Sequence, residues 1–87
     1  MEDKAIEQTR IALIGIIVED INITEQINDV LHMYAGYIIG RMGIPYRAKN
    51  VSVISVVIDA PQDIISSLSG KLGMIQGANV KVQFTKN

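Results

Sequence analysis

The apolar positions of this chain follow two rhythms. Residues 11–18 (IALIGIIV) are apolar without alternation over a length that suits a strand, and so predict a strand buried on both faces. From Asn22 the period lengthens. Ile23, Ile27, Val30, Leu31 and Tyr34 recur at three- and four-residue spacing, while Glu25, Asp29 and His32 fall on the other side. That spacing predicts an amphipathic helix over about 23–35. Asn22 with Glu25 three residues on reads as a capping box, and Gly36 as the left-handed residue that ends the helix.

Residues 37–43 predict a weaker strand, broken by Gly40 and carrying Arg41, features best tolerated at a sheet edge. Residues 45–50 predict a polar turn. Residues 51–58 (VSVISVVI) are β-branched and largely apolar, and predict a second strong strand. Pro61 suits the first turn of a second helix, whose apolar stripe runs through Ile64, Ile65, Leu68 and Leu72 until Gly73. Residues 74–79 link to a last strand in which Val80, Val82 and Phe84 alternate with Lys81, Gln83 and Thr85, so that only one of its faces is apolar.

The order strand, helix, strand, strand, helix, strand defines an α+β domain, βαββαβ. Two right-handed crossovers and a hairpin give a four-stranded antiparallel sheet in the order 4-1-3-2, with both helices on one face. The two strands placed centrally are the two that are apolar on both faces. Helices cover one of those faces only. About three sizeable apolar side chains per central strand then point away from the helices. At roughly 1.5–3 kcal/mol for each fully buried side chain, an upper bound on the order of 10 kcal/mol goes unclaimed in a monomer. A homo-oligomer packed sheet to sheet is the expectation.

Composition narrows the function. The chain has 87 residues and no cysteine, so neither a disulfide nor a thiolate metal site supplements a thin core. Residues 1–10 read as a polar N-terminal tail and 11–87 as a single domain. The longest apolar run is far shorter than a membrane span, and the charged opening is unlike a signal peptide; a soluble, cytoplasmic protein is expected. Eight basic and nine acidic residues give a net charge of −1, which provides no global attraction to nucleic acid.

Catalysis lacks its usual groups. His32 is the one imidazole, and no nucleophile is paired with a base. Asp29 one turn and Glu25 two turns away from His32 complete only part of a nickel or zinc ligand set, and its place late in a helix suits a solvated residue. No enzyme activity, metal or cofactor is expected. Gly70-Lys71-Leu72-Gly73 lacks the spacing of a phosphate loop and closes a helix rather than opening one. Arg41, Tyr46, Arg47 and Lys49, at and after the edge strand, are the candidate ligand-binding residues. Arginine binds carboxylate or phosphate in a fork, and tyrosine adds a flat contact. The plainer reading is a solvated hairpin whose charges blunt a sheet edge.

Three segments together, IALIGIIVED, YIIGRMGIPYR and VSVISVVID with LSGKLGMIQGANVK, resemble the iron-only hydrogenase system regulators. These are small proteins of ACT-like, ferredoxin-like fold, also similar to the C-terminal domain of the nickel-responsive repressor. The resemblance covers roughly 10–86 and implies an oligomeric, non-catalytic regulator, a transcriptional one in the family's description, that senses a small ligand at a subunit interface. A structural adaptor docking on a larger maturation or regulatory protein is the reading from a different class. ACT domains that bind amino acids carry an Asp-x-x-Gly turn after the first strand, where this chain has Glu19-Asp20-Ile21-Asn22. The repressor's histidines and cysteine reduce here to His32, and residues 1–10 are too short for its DNA-binding domain. Amino-acid binding at that turn, nickel sensing and direct DNA binding by this chain are therefore not expected.

Overall fold

A computed structural model describes residues 8–86; residues 1–7 of the expected tail lie outside the described residues. Strand β1 (Arg10–Val18) leads through a 3-10 turn (Ile21–Ile23) into helix α1 (Thr24–Met33), and a second 3-10 turn (Ala35–Tyr37) leads into β2 (Ile38–Tyr46). A third 3-10 turn (Arg47–Lys49) precedes β3 (Val51–Ala60), followed by α2 (Gln62–Gly73) and β4 (Ala78–Phe84). The sheet order is β2-β3-β1-β4, the expected 4-1-3-2, and all pairings are antiparallel.

Period-two alternation divides β1 and β3 as the apolar runs require. Ala12, Ile14, Ile16 and Val18 pair with Ile58, Val56, Ile54 and Ser52, and all of them are buried beneath the helices. The helices bring Ile27, Leu31, Tyr34, Ile65, Leu68 and Leu72 to that layer. The intervening residues of β1 and β3 point the other way, onto the open face.

Several local details differ from expectation, each for a physical reason. The cap at the β1–α1 turn is Asp20, whose Oδ1 accepts from the Asn22 amide at 3.0 Å, and α1 itself starts without a side-chain cap. The 3-10 turn occupies the residues that the capping-box pattern assigned to the helix. Gly36 is not left-handed: α1 ends at Met33, and its last carbonyls are met by a 3-10 turn. Strand β2 is longer than expected, because at an edge neither Pro45 nor the glycines interrupt a ladder on both sides. It also carries a bulge: Ile38 faces Ile58 while Gly40 faces Val57, leaving Ile39 as the extra residue.

Arg10 ties the far corner together. Its guanidinium donates to Gln62 Oε1 and to the Thr85 carbonyl, each at 2.7 Å, and stacks 4.4 Å from the Phe84 ring centre. Tyr34 joins α1 to α2 through a 2.9 Å hydrogen bond with Ser67, and the Lys71 ammonium lies 5.3 Å from its ring centre. The Ser67 hydrogen bond first, and then Lys71, lower the phenol's pKa below the ordinary 10.0 against the opposing effect of burial.

Two predictions follow from this packing. The folded state releases the Tyr34 proton before the unfolded chain does, so stability rises with pH between the lowered value and about 10. Denaturation midpoints measured across that window should climb in the wild type and lose the climb in Tyr34→Phe. Gly77 adopts φ +94°, and a Cβ there would meet Ile23 Cδ1 at 3.2 Å. Gly77→Ala should therefore destabilise by about 1–2 kcal/mol in urea titration.

Candidate ligand site

The bulge in β2 determines where the basic residues go. Upstream of it Ile38 lies on the helix side of the sheet; the extra residue reverses the alternation, so that Gly40, Met42, Ile44 and Tyr46 occupy the open face and Arg41, Gly43 and Pro45 the helix side. Arg41 consequently reaches α1, where its Nη2 donates to Asn28 Oδ1 at 2.6 Å. Arg47 opens the next 3-10 turn. Asn50 closes that turn with a left-handed backbone, φ 53°, and its amide donates to the Arg47 carbonyl at 3.1 Å. The Asn50 side chain accepts from the Ile21 amide at 3.3 Å, which fastens the turn carrying Arg47 to the β1–α1 connection.

Between these elements lies a cavity of about 310 Å³. Arg41 and Arg47 both line it, and so do Asn28, Thr24 and Ser52; its apolar wall comes from Ile21, Pro45 and Ile54. Among the described residues no carboxylate lines it, and neither arginine takes part in an ion pair. Ser52 is 3% exposed, the one buried polar residue among those described, and no described group hydrogen-bonds its hydroxyl. The Thr24 hydroxyl oxygen is also buried without a partner. Buried polar atoms are normally satisfied, so the unpaired Thr24 oxygen, with Ser52 and two arginines lining the same cavity, marks a place whose hydrogen-bonding capacity the fold leaves unused.

Of the four residues nominated from sequence, the structure brings Arg41 and Arg47 together here. Tyr46 stands opposite Val51 on the open face, and Lys49 is exposed at the end of the 3-10 turn; neither lines the cavity. Thr24, Asn28 and Ser52 carry no sequence signal of their own. Thr24 reads as an ordinary first-turn residue, and Ser52 as the polar partner in an alternating strand. His32 is exposed on the last turn of α1. A larger, shallower hollow of about 850 Å³ between α1 and the α2–β4 connection is lined by Asp20 and Asp29, and so has the opposite charge character.

The other surface feature is the open face of the sheet. Ile11, Leu13, Ile17, Met42, Ile44, Tyr46 and Val53 lie there, each at least 40% exposed. Val51 and Val57 between them are half-buried. On β4 the same face turns polar through Asn79, Lys81 and Gln83, which is where the apolar patch stops.

Over residues 10–82 the chain matches the family model described as "TM1266-like: Iron-only hydrogenase system regulator, putative". It is similar in structure to the uncharacterized protein TM1266 from Thermotoga maritima, with a TM-score of 0.85 and 38% sequence identity over 90% of this chain and 99% of that one. No curated protein matches it. Among the described residues no helix is long and apolar enough to cross a membrane.

The unpaired hydroxyls generate a stability prediction. Thr24→Val removes an unsatisfied buried oxygen at nearly constant volume, and should leave the unliganded protein unchanged or stabilise it by about 1 kcal/mol in denaturant titration. A loss of more than that would mean that the hydroxyl is already paired within the fold.

Proposed function

From its membership of the TM1266-like family of iron-only hydrogenase system regulators, to which this chain belongs, we propose that it is a non-catalytic regulatory domain that works as a homodimer packed through the open face of its sheet and responds to a small anionic ligand. The observation that carries the dimer is the face itself. Seven large apolar residues, each 40% exposed or more, lie together there. A contiguous apolar patch of seven large side chains is more than the scattered single apolar residues that a monomer's surface normally carries, and patches of that kind mark interaction sites.

Charge selects the occupant. Within the strands, the charged residues on this face are Lys81 and Asp59, one of each sign. A face that is apolar and electrically balanced is complementary to itself, which suits a second copy in an isologous contact better than a partner of strong net charge. Sheets packed face to face also bury alternating side chains without unpaired backbone groups.

The ligand half of the proposal rests on the Arg41–Arg47 cavity, which opens on the helix side and so remains accessible when the sheet faces are joined. Strand β2 contributes to both sites, with Met42, Ile44 and Tyr46 on one side and Arg41, Gly43 and Pro45 on the other. A ligand that fixes β2 from the helix side therefore acts on a strand that also carries part of the dimer surface.

Ile17 and Val53 are cross-strand partners at the centre of the patch. Light scattering should give twice the chain mass at micromolar concentration for the wild type and the chain mass for Ile17→Lys combined with Val53→Lys, with the helical circular dichroism retained. A stable wild-type monomer would contradict the proposal and leave the face to a different protein.

A further inference from the structure

The chemistry of the cavity identifies the ligand more closely. This step deepens the ligand half of the function proposed above and is independent of the dimer half. We propose that the cavity between the start of α1, β2 and β3 binds the phosphate group of a small phosphate monoester, held by Arg41 and Arg47 with the hydroxyls of Thr24 and Ser52.

Three observations carry this assignment. First, two arginines line the cavity, and among the described residues no carboxylate does. Two positive residues on one cavity with no carboxylate to balance them favour an anion of charge near two. Second, oxygen count distinguishes the anions. A guanidinium binds in a fork that engages two oxygens, and a single carboxylate has only two to offer, which one arginine already occupies. Two forks and two hydroxyl donors match the three terminal oxygens of a phosphate monoester, each able to accept more than one bond.

Third, the fold retains donors that it does not use. Ser52 is buried to 3% exposure and the Thr24 hydroxyl oxygen is fully enclosed, both without a partner among the described residues. The Arg41 guanidinium is already held from one side by Asn28 at 2.6 Å, and the turn that Asn50 closes fixes the backbone from which Arg47 projects. Arg41 is therefore partly ordered before any ligand arrives, which limits the entropy lost on binding. The cavity of about 310 Å³ is at the small end of ligand sites. It has room for the phosphate and a compact body against Ile54 and Pro45, and too little for a dinucleotide.

Thermal unfolding of the full chain at constant ionic strength, with phenyl phosphate, inorganic phosphate, malonate or chloride as the probe, tests this. Phenyl phosphate at tenfold over its Kd should raise the midpoint by about 5 °C or more. Inorganic phosphate should act in the same direction. Arg41→Met and Arg47→Met should each weaken phenyl phosphate binding at least about tenfold in calorimetry, since each removes a charged fork. Ser52→Ala should weaken it by a smaller factor, and Lys49→Met should leave it unchanged. The unliganded midpoints of the arginine variants should be equal to or above the wild type, which separates lost binding from lost folding. No shift with either phosphate, or a shift equal to that of chloride, would overturn the inference. So would a shift that survives in the double arginine variant. Binding of malonate alone would overturn the phosphate assignment while leaving the anion-responsive reading intact, and the dimer mass is measured separately.

Discussion

Two helices can shield one face of a four-stranded sheet, and in this fold they lie on the same side. Everything else in the molecule adjusts to the fact that β1 and β3, the central strands, are apolar on both faces. The helix side absorbs Ile14, Ile16, Val56 and Ile58 completely. The remaining half of each strand, Ile11, Leu13 and Ile17 with Val51, Val53 and Val57, has no second layer over it among the described residues. In a domain of this size, with no cysteine to supply a staple, that is a large fraction of the apolar surface available to stabilise it. Surface chemistry follows the same division. Strand β4 alternates strictly, and it is there that the open face turns polar with Lys81 and Gln83.

The edge strand β2 is where the two proposed surfaces meet. One extra residue, Ile39, shifts the alternation so that Arg41 turns toward α1 while Met42, Ile44 and Tyr46 extend the apolar face. Without that bulge the parity would be reversed: Arg41 would stand in the middle of the apolar patch, at the cost of a solvated charge in any sheet-to-sheet contact, and the cavity would lose one of its two cations. A single irregularity thus keeps the charged chemistry on one side of the sheet and the packing surface on the other.

How much of this is legible in the sequence depends on whether the signal is periodic. The continuous apolar runs of β1 and β3, the three- and four-residue spacing in α1 and the alternation in β4 report burial directly, and they suffice for the topology. The β2 strand is harder to read, because Gly40, Gly43 and Pro45 look like breaks, and it is sheet position that makes them harmless. The sequence pattern points to Asn22 as a helix cap, whereas the side chain that caps is Asp20 and what it caps is the 3-10 turn, since a 3-10 turn and an α-helix share the same polar residues at their starts. In the cavity, Arg41 and Arg47 are conspicuous by charge, whereas Thr24 and Ser52 matter only through burial, which no local pattern encodes. Tyr46 and Lys49 are adjacent to the arginines in sequence, but alternation sends Tyr46 to the opposite face.

The central claim is that the open face of the sheet is buried in the working protein. Methyl NMR in the presence of a soluble paramagnetic agent reads that burial residue by residue. The methyls of Ile11, Leu13, Ile17 and Val53 should be as protected at micromolar concentration as those of Ile14 and Ile54 in the core. Broadening comparable to that of Met74, which is 86% exposed, would show the face to be bare and would contradict the account.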